Sequence, residues 1–302
     1  MSLTIISQMF LMGMFMSVGV FLYRLRYLDD DGVDQLTNIL FKVCIPAIMV
    51  NSFNIPFSGM VLRNYVITFF ITCIVVFASI VVSIIIFKPN QRIERFSAMF
   101  SNAGFIGIPL VRAVLGEGSV FYVTAFLLAF NLVVWTFGLY QVSGDKKLIS
   151  IKSSLTSPTF IGLYLGLIVF FAPFQLPMFM STAIFEIANL NTPVAMIVLG
   201  YYSAKTPLKG LLEPRVFWVS FVRLMIVPVA CALSLVLVPN VYLEMKQAIL
   251  IAVSAPAGVV TAMFAQQYWD EHEFGTSIVC QSTILSVVSI PIIMSISHLI
   301  WF

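Results

Sequence analysis

The chain has 302 residues, 60% of them hydrophobic and only 10% charged, with a mean hydropathy of +1.03 and a net charge of +3. A soluble domain carries roughly 25% charge, so there is too little polar surface here to coat a water-facing globule, and lipid is the solvent that remains. The basic residues are spread over short loops, which excludes a nucleic-acid-binding patch. Cys44, Cys73, Cys231 and Cys280 lie far apart in apolar segments with no metal or redox spacing.

In lipid the backbone must satisfy its own hydrogen bonds, which leaves helices or closed barrels. The apolar runs are about twenty residues long, the length of a membrane-crossing helix, and they do not alternate as barrel strands do. Ten spans are expected, at about 4–23, 36–55, 64–87, 93–115, 118–141, 155–174, 179–202, 214–238, 246–267 and 277–300. No basic region precedes the first, since the first cation is Arg24, so it reads as a span and not a cleaved signal. The segments divide as a first five-helix repeat over 1–142, a short linker over 143–154 and a second five-helix repeat over 155–302.

Loop charge sets the orientation. Arg24, Arg26, Lys88, Arg92, Arg95, Lys146, Lys147, Lys152, Lys205, Lys209 and Arg215 fall on one side, against Arg63 and Lys246 on the other. Positive loops stay cytoplasmic, so both termini are expected outside, in a multi-pass protein of the plasma membrane. The acidic loop Asp270-Glu271-His272-Glu273 breaks the pattern, but acidic residues count little in this rule.

Five spans per half is an odd number, so two similar halves must lie inverted. Pro46 and Pro109 are 63 residues apart, as are Pro193 and Pro256, and one shift of 147 superposes both pairs. Interrupted segments at matching positions of two halves point to a transporter's binding site. The fourth span holds Ser101-Asn102-Ala103-Gly104-Phe105-Ile106-Gly107-Ile108-Pro109, where glycine and proline together favour unwinding. The ninth holds Ser254-Ala255-Pro256-Ala257-Gly258. If both break near the midplane, their half-helix N-termini meet there and suit an anion such as a carboxylate. The candidate binding residues are Asn102, Gly104, Pro109, Ser254, Pro256 and Gly258, lined further by Asn51 and Asn191, with Asn189 beside the seventh-span break.

Ionisable groups inside spans are functional candidates by default. Glu186 either carries a coupling proton or pairs with Arg223, and the pair is the favoured expectation. Lys42 and Arg112 read as snorkelling cations. No metal or organic cofactor is implied.

In this order and spacing the residues resemble the auxin efflux carrier family of membrane transporters. The resemblance rests on Ser101 to Leu110, the polar pair Asn131 and Trp135, Ala255-Pro256-Ala257, Ala265-Gln266-Gln267-Tyr268, Ser282-Thr283-Ile284-Leu285-Ser286 and Pro291. It implies a scaffold part, a mobile transport part and broken fourth and ninth spans that cross. It also implies a small organic anion as cargo, auxin in plants and dicarboxylates such as malonate in some bacteria. The central loop of about a dozen residues is similar to the bacterial branch. Asn102-Ala103-Gly104 stands where members commonly have Asn-Thr-Gly, which removes a hydroxyl, and Gln266 stands where a glutamate is frequent.

The resulting expectation is a secondary transporter of a small organic anion working by alternating access, and not an enzyme. A sodium- or proton-coupled carrier of another substrate class is the alternative, and a membrane sensor is a further one. Intramembrane aspartates would favour the coupled carrier, and none occurs at the breaks. The partners expected are the anion and the bilayer; a homodimer is carried as an expectation without a sequence signal of its own.

Overall fold

The computed structural model describes residues 2–145, 151–172, 176–269 and 271–302, with backbone only at Ser2, Gln266 and His272. Lys146 and Lys147 of the expected linker, the end of the sixth expected span and Asp270 lie outside the described residues. The helices run α1 Ser2–Arg24, α2 Asp30–Phe53, α3 Gly59–Ile86, α4a Arg92–Met99, α4b Ala103–Leu115 and α5 Glu117–Ser143. They continue as α6 Pro158–Phe171, α7 Met178–Lys205, α8 Pro214–Leu237, α9a Leu243–Ser254, α9b Val260–Tyr268 and α10 His272–Trp301. Seven of them, α1, α2, α3, α5, α7, α8 and α10, are long and apolar enough to cross a membrane. The three expected segments outside that set are the short α6 and the two that are interrupted.

Large apolar side chains face outward all round the bundle, Phe10 at 68%, Phe77 at 66% and Ile85 at 76% exposure among them. Water would not solvate such a surface, and hydrocarbon does. The second span starts at Asp30, earlier than expected, because Asp29 caps it by accepting the Gly32 N–H at 2.9 Å, with Asp30 and Asp31 in the first turn. Carboxylates there complement the positive end of the helix.

Prolines were expected to break the second and seventh spans, and they do not. The helix runs through Pro46 after a π-helical turn at Leu40–Cys44. Pro109 and Pro228 likewise follow π turns, at Ala103–Gly107 and Val222–Ile226. A proline lacks its N–H and crowds the carbonyl four residues back; widening the preceding turn to i→i+5 bonds absorbs the mismatch. Near Pro193 the only departure is a turn at Leu190, after which the helix resumes at Asn191.

Two helix pairs pack backbone to backbone. Gly19 of α1 lies against the Ile197 carbonyl of α7, and Gly200 of α7 against the Met16 carbonyl. Gly162 and Gly166 of α6 lie against α2 in the same manner, a Cβ on Gly166 meeting Phe53 at 2.9 Å and the Met49 carbonyl at 3.2 Å. Gly19 and Gly166 are 147 residues apart, the register of Pro46 and Pro193. The aromatic rings of Phe53, Tyr65, Phe121 and Phe170 close one end of the α2–α6 contact, with Phe53 fully buried. At the cation-rich side, buried Glu94 at the start of α4a accepts from Arg215 of α8 at 2.7 Å, and Arg215 reaches Glu271 at 3.6 Å.

Small residues let membrane helices approach closely, and an added methyl there is overpacking that costs about 1–3 kcal/mol. Gly19→Ala should therefore lower the thermal unfolding midpoint of detergent-purified protein. Gly13→Ala, on the same helix with nothing within 4 Å of its Cβ, should leave the midpoint level or raise it. Equal midpoints for the two variants would show that α1 and α7 are not locked at Gly19.

Candidate functional site

The fourth segment leaves the helix at Phe100–Asn102 and the ninth at Ala255–Val259. These stretches cross antiparallel, with a bridge between Ser101 and Ala257. The Asn102 N–H donates to the Pro256 carbonyl at 2.7 Å, and the Gly258 N–H donates to the Phe100 carbonyl at 3.1 Å. Each extended stretch thus supplies backbone partners that the other lost on leaving its helix. Gly258 suits the close approach, since a Cβ there would come within 3.2 Å of the Ser101 carbonyl oxygen. The Ala257 N–H donates to Ser282 Oγ of α10 at 3.1 Å.

The position of the first break is a correction. Unwinding was expected around Pro109, but Pro109 lies buried inside helical α4b, whereas Pro256 lies in the unwound stretch itself. The two prolines share a register and not a role. Ser101 and Ala257 are 156 residues apart, so the 147 shift that relates the glycine contacts does not carry through to the crossing. From Pro46 to Ser101 is 55 residues and from Pro193 to Ala257 is 64; the second stretch includes the extra short helix Leu208–Leu211.

A cavity of about 60 Å³ lies at the crossing. Ser101, Asn102, Gly104 and Phe105 line it from the start of α4b, and Gly258, Val259 and Val260 from the start of α9b. The first N–H groups of a helix have no partner within it and carry the positive end of its dipole. Two such ends therefore converge on one small space. Asn102 is 5% exposed, and its Nδ2 has no hydrogen-bond partner, as is true of Ser101 Oγ. The rest of the wall is Phe41 and Ile45 of α2, Leu127, Phe130 and Asn131 of α5, and Thr159 of α6.

Of the expected binding residues, Asn102, Gly104 and Gly258 line this cavity and Pro256 pairs with the backbone of Asn102. Asn191 stands one layer out, buried, donating from Nδ2 to the Gly104 carbonyl at 2.9 Å. Ser254 is fully buried at the end of α9a with its hydroxyl unpartnered. Asn51 does not line the cavity: it donates to Glu117 at 3.3 Å, in a cluster where Glu117 pairs with Arg112 at 2.6 Å and Arg112 reaches Asn189 at 2.8 Å. Asn51 lies at the end of α2 among the groups that open α5, beyond the reach of the crossing. Lys42 is exposed.

The favoured Glu186–Arg223 pair does not form. Glu186 is exposed on α7, and among the described residues no ion pair includes it or Arg223. Arg223 is fully buried and donates to three backbone carbonyls, Ala98 at 2.9 Å, Ala255 at 3.1 and 3.2 Å, and Val253. A buried cation needs compensation, and helix C-terminal carbonyls supply it here in place of a carboxylate. Among the described residues no cluster of histidine, cysteine or carboxylate side chains could hold a metal ion.

Sequence reasoning missed Thr159 and noted Asn131 only as part of a resemblance. Asn131 was legible as a polar residue inside an apolar run. Thr159 follows Pro158 at a helix start and looks like ordinary turn chemistry, so nothing local marked it.

A second, larger cavity of about 660 Å³ lies on the cation-rich side. Asp30 and Asp34 of α2, Tyr202 and Lys205 of α7, Ala262 and Met263 of α9b, and Glu273 of α10 contribute to its wall. Asp30 accepts from Tyr201 at 2.8 Å and pairs with Lys205. Its α9b wall continues the helix turn that begins in the small cavity at Val259 and Val260.

Loss of one partner from a buried hydrogen bond costs about 1–3 kcal/mol. Ser282→Ala removes the acceptor of the Ala257 N–H and should lower the unfolding midpoint clearly more than Ser286→Ala, whose hydroxyl only back-bonds its own helix at Thr283. Equal losses would mean that the bridge strand does not depend on Ser282.

A family model described as a membrane transport protein matches residues 4–154 and 146–294. A search of the curated proteins found no match. With most of the chain matched, with its exposed apolar helices and with interrupted segments that cross, the chain belongs to this membrane transport protein family, the auxin efflux carrier family, whose members are transporters and not enzymes.

Proposed function

We propose that the chain is a secondary transporter of a small organic anion, a carboxylate of auxin-like or dicarboxylate type, working by alternating access in the plasma membrane. The carrying observation is the small cavity at the crossing, where two helix N-termini and the unpartnered Asn102 Nδ2 converge and where, among the described residues, no carboxylate lines the wall. Such a constellation offers N–H donors and positive potential and nothing that repels a carboxylate. At about 60 Å³ the cavity is far below the roughly 300–1,000 Å³ of small-molecule sites. In this state the site is constricted, and the larger cavity beside α9b is its way in from the cation-rich, cytoplasmic side.

The proposed architecture is ten spans in two inverted five-helix halves, 1–142 and 155–302, joined by the linker 143–154. The Gly19 and Gly166 contacts in one register support it, and so do the crossing pairs α1 with α7 and α6 with α2, in which each half's first helix packs on the other half's second. The second reading, a cation-coupled carrier, draws on the acidic mouth of the larger cavity, where Asp34 and Glu273 accompany the Lys205-paired Asp30.

Purified protein should be stabilised in a thermal-shift screen by a mono- or dicarboxylate equally with and without sodium, at two pH values. Stabilisation by sodium or protons without any carboxylate response would move the assignment to the second reading. Asn102→Ala should fold normally and weaken anion affinity roughly 5- to 150-fold, the equivalent of one buried hydrogen bond at about 1–3 kcal/mol. Wild-type uptake with unchanged affinity would remove Asn102 from the site.

Both termini are proposed to face outward. Ser2→Cys and Phe302→Cys variants should each react with an impermeant maleimide on intact cells. Background is low because Cys44, Cys231 and Cys280 are buried and Cys73 lies within α3. Protection of either added thiol would contradict an even number of spans or their orientation.

A further inference from the structure

Among the described residues Arg223 has no carboxylate partner, and its hydrogen bonds go to backbone carbonyls. Ala98 belongs to the last turn of α4a, Val253 to the last turn of α9a, and Ala255 to the unwound residues that follow it. The last carbonyls of a helix have no partner within it, and each helix C-terminus carries roughly half a negative charge. Two such ends amount to roughly one negative charge, which one guanidinium balances. The hydroxyls of Ser254, between the two α9a-end carbonyls in sequence, and of Ser220, one turn before Arg223, are both fully buried and unpartnered.

Converging carbonyls from half-helix C-termini and unwound backbone, with a hydroxyl nearby, are the oxygen ligands with which carriers built on discontinuous helices hold an alkali cation. We propose that Arg223 is a tethered cation occupying an alkali-cation cradle, so that the crossing is charge-balanced without a free ion, and that vacating the cradle creates a sodium site. Arg223 is then a positioning residue: it holds α4a and α9a end to end, and through them fixes the bridge that presents Asn102 and Gly258. Because the guanidinium never leaves, the crossing needs no sodium gradient to stay assembled. The proposal rests on the carrier reading only for the importance given to the crossing; its test reads protein stability and no substrate, so the two can fail separately.

The experiment compares thermal unfolding of detergent-purified wild type and Arg223→Ala in sodium chloride, potassium chloride and choline chloride at equal ionic strength. Wild type is expected to show one midpoint in all three salts. Arg223→Ala is expected to unfold several degrees lower in choline and to recover saturably as sodium replaces choline, as binding to a folded-state site requires. A salt-independent Arg223→Ala midpoint, or the same saturable sodium response in wild type, would overturn the proposal. If Arg223→Ala does not fold, Arg223→Lys is set against Arg223→Gln. A lysine variant several degrees above the glutamine variant supports a role for the charge. A lysine variant no more stable than the neutral glutamine variant overturns it, because shape and hydrogen bonding alone would then explain Arg223.

Discussion

Backbone that leaves a helix inside a membrane must find other partners, and the crossing of 100–102 with 255–259 meets that demand. Within lipid an unpaired peptide group costs several kcal/mol. The two short extended stretches meet it by bonding each other, through Asn102 to Pro256 and Gly258 to Phe100. Neither stretch could exist alone, so the two breaks stand or fall together. The pairing uses only some of the freed groups. The carbonyls at the ends of α4a and α9a turn to Arg223, while residues at the starts of α4b and α9b line the small cavity. The crossing is therefore polar in a definite sense: its negative ends are closed by a fixed cation, and its positive ends are left open.

Much of the fold was legible because lipid imposes a length. Of the ten apolar runs read as spans, seven coincide with helices long and apolar enough to cross a membrane; the others coincide with the short α6 and two interrupted pairs. What proline does was read too locally. A proline is a local defect, and at Pro46, Pro109 and Pro228 a π turn absorbs it without unwinding. Where the helix gives way is decided by a partner stretch about 150 residues distant in sequence, which no local pattern reveals. The same blindness explains Asn51, expected to line the cavity, and the Glu186–Arg223 pair. Sequence shows side-chain charges, and the compensation for Arg223 comes from helix ends, which only assembly creates. Asn102, Gly104 and Gly258 were legible because they cluster with serine and proline in two short stretches of otherwise apolar segments.

The 147-residue register behaves differently in two parts of the molecule. It holds for Gly19 and Gly166 and for Pro46 and Pro193, where helices approach backbone to backbone and a residue inserted in the helix would rotate the small side chain out of the contact. It fails at the crossing, where the linking segments have room to absorb a nine-residue difference in turns such as Leu208–Leu211. Close helix contacts therefore preserve spacing more strictly than the site itself does.

The cohesion of these parts is unequal. Facing the crossing, α2 contributes the apolar Phe41 and Ile45 to the cavity wall and α6 the hydroxyl of Thr159. The polar links there include Asn191 to the Gly104 carbonyl and Arg112 to Asn189. Neutral hydrogen bonds of this kind are worth about 0.5–1.5 kcal/mol each net, and charged ones about twice that. Within the crossing, separation would expose the bridging backbone groups and strand a fully buried guanidinium, a loss several times larger. Under the proposed carrier reading, a displacement that carries α4a, α4b, α9a and α9b together past α2 and α7 costs less than one that parts the two breaks. The close glycine contacts of α1 with α7 and of α6 with α2 tie those four helices to one another, so on that reading they form the part against which the crossing would shift.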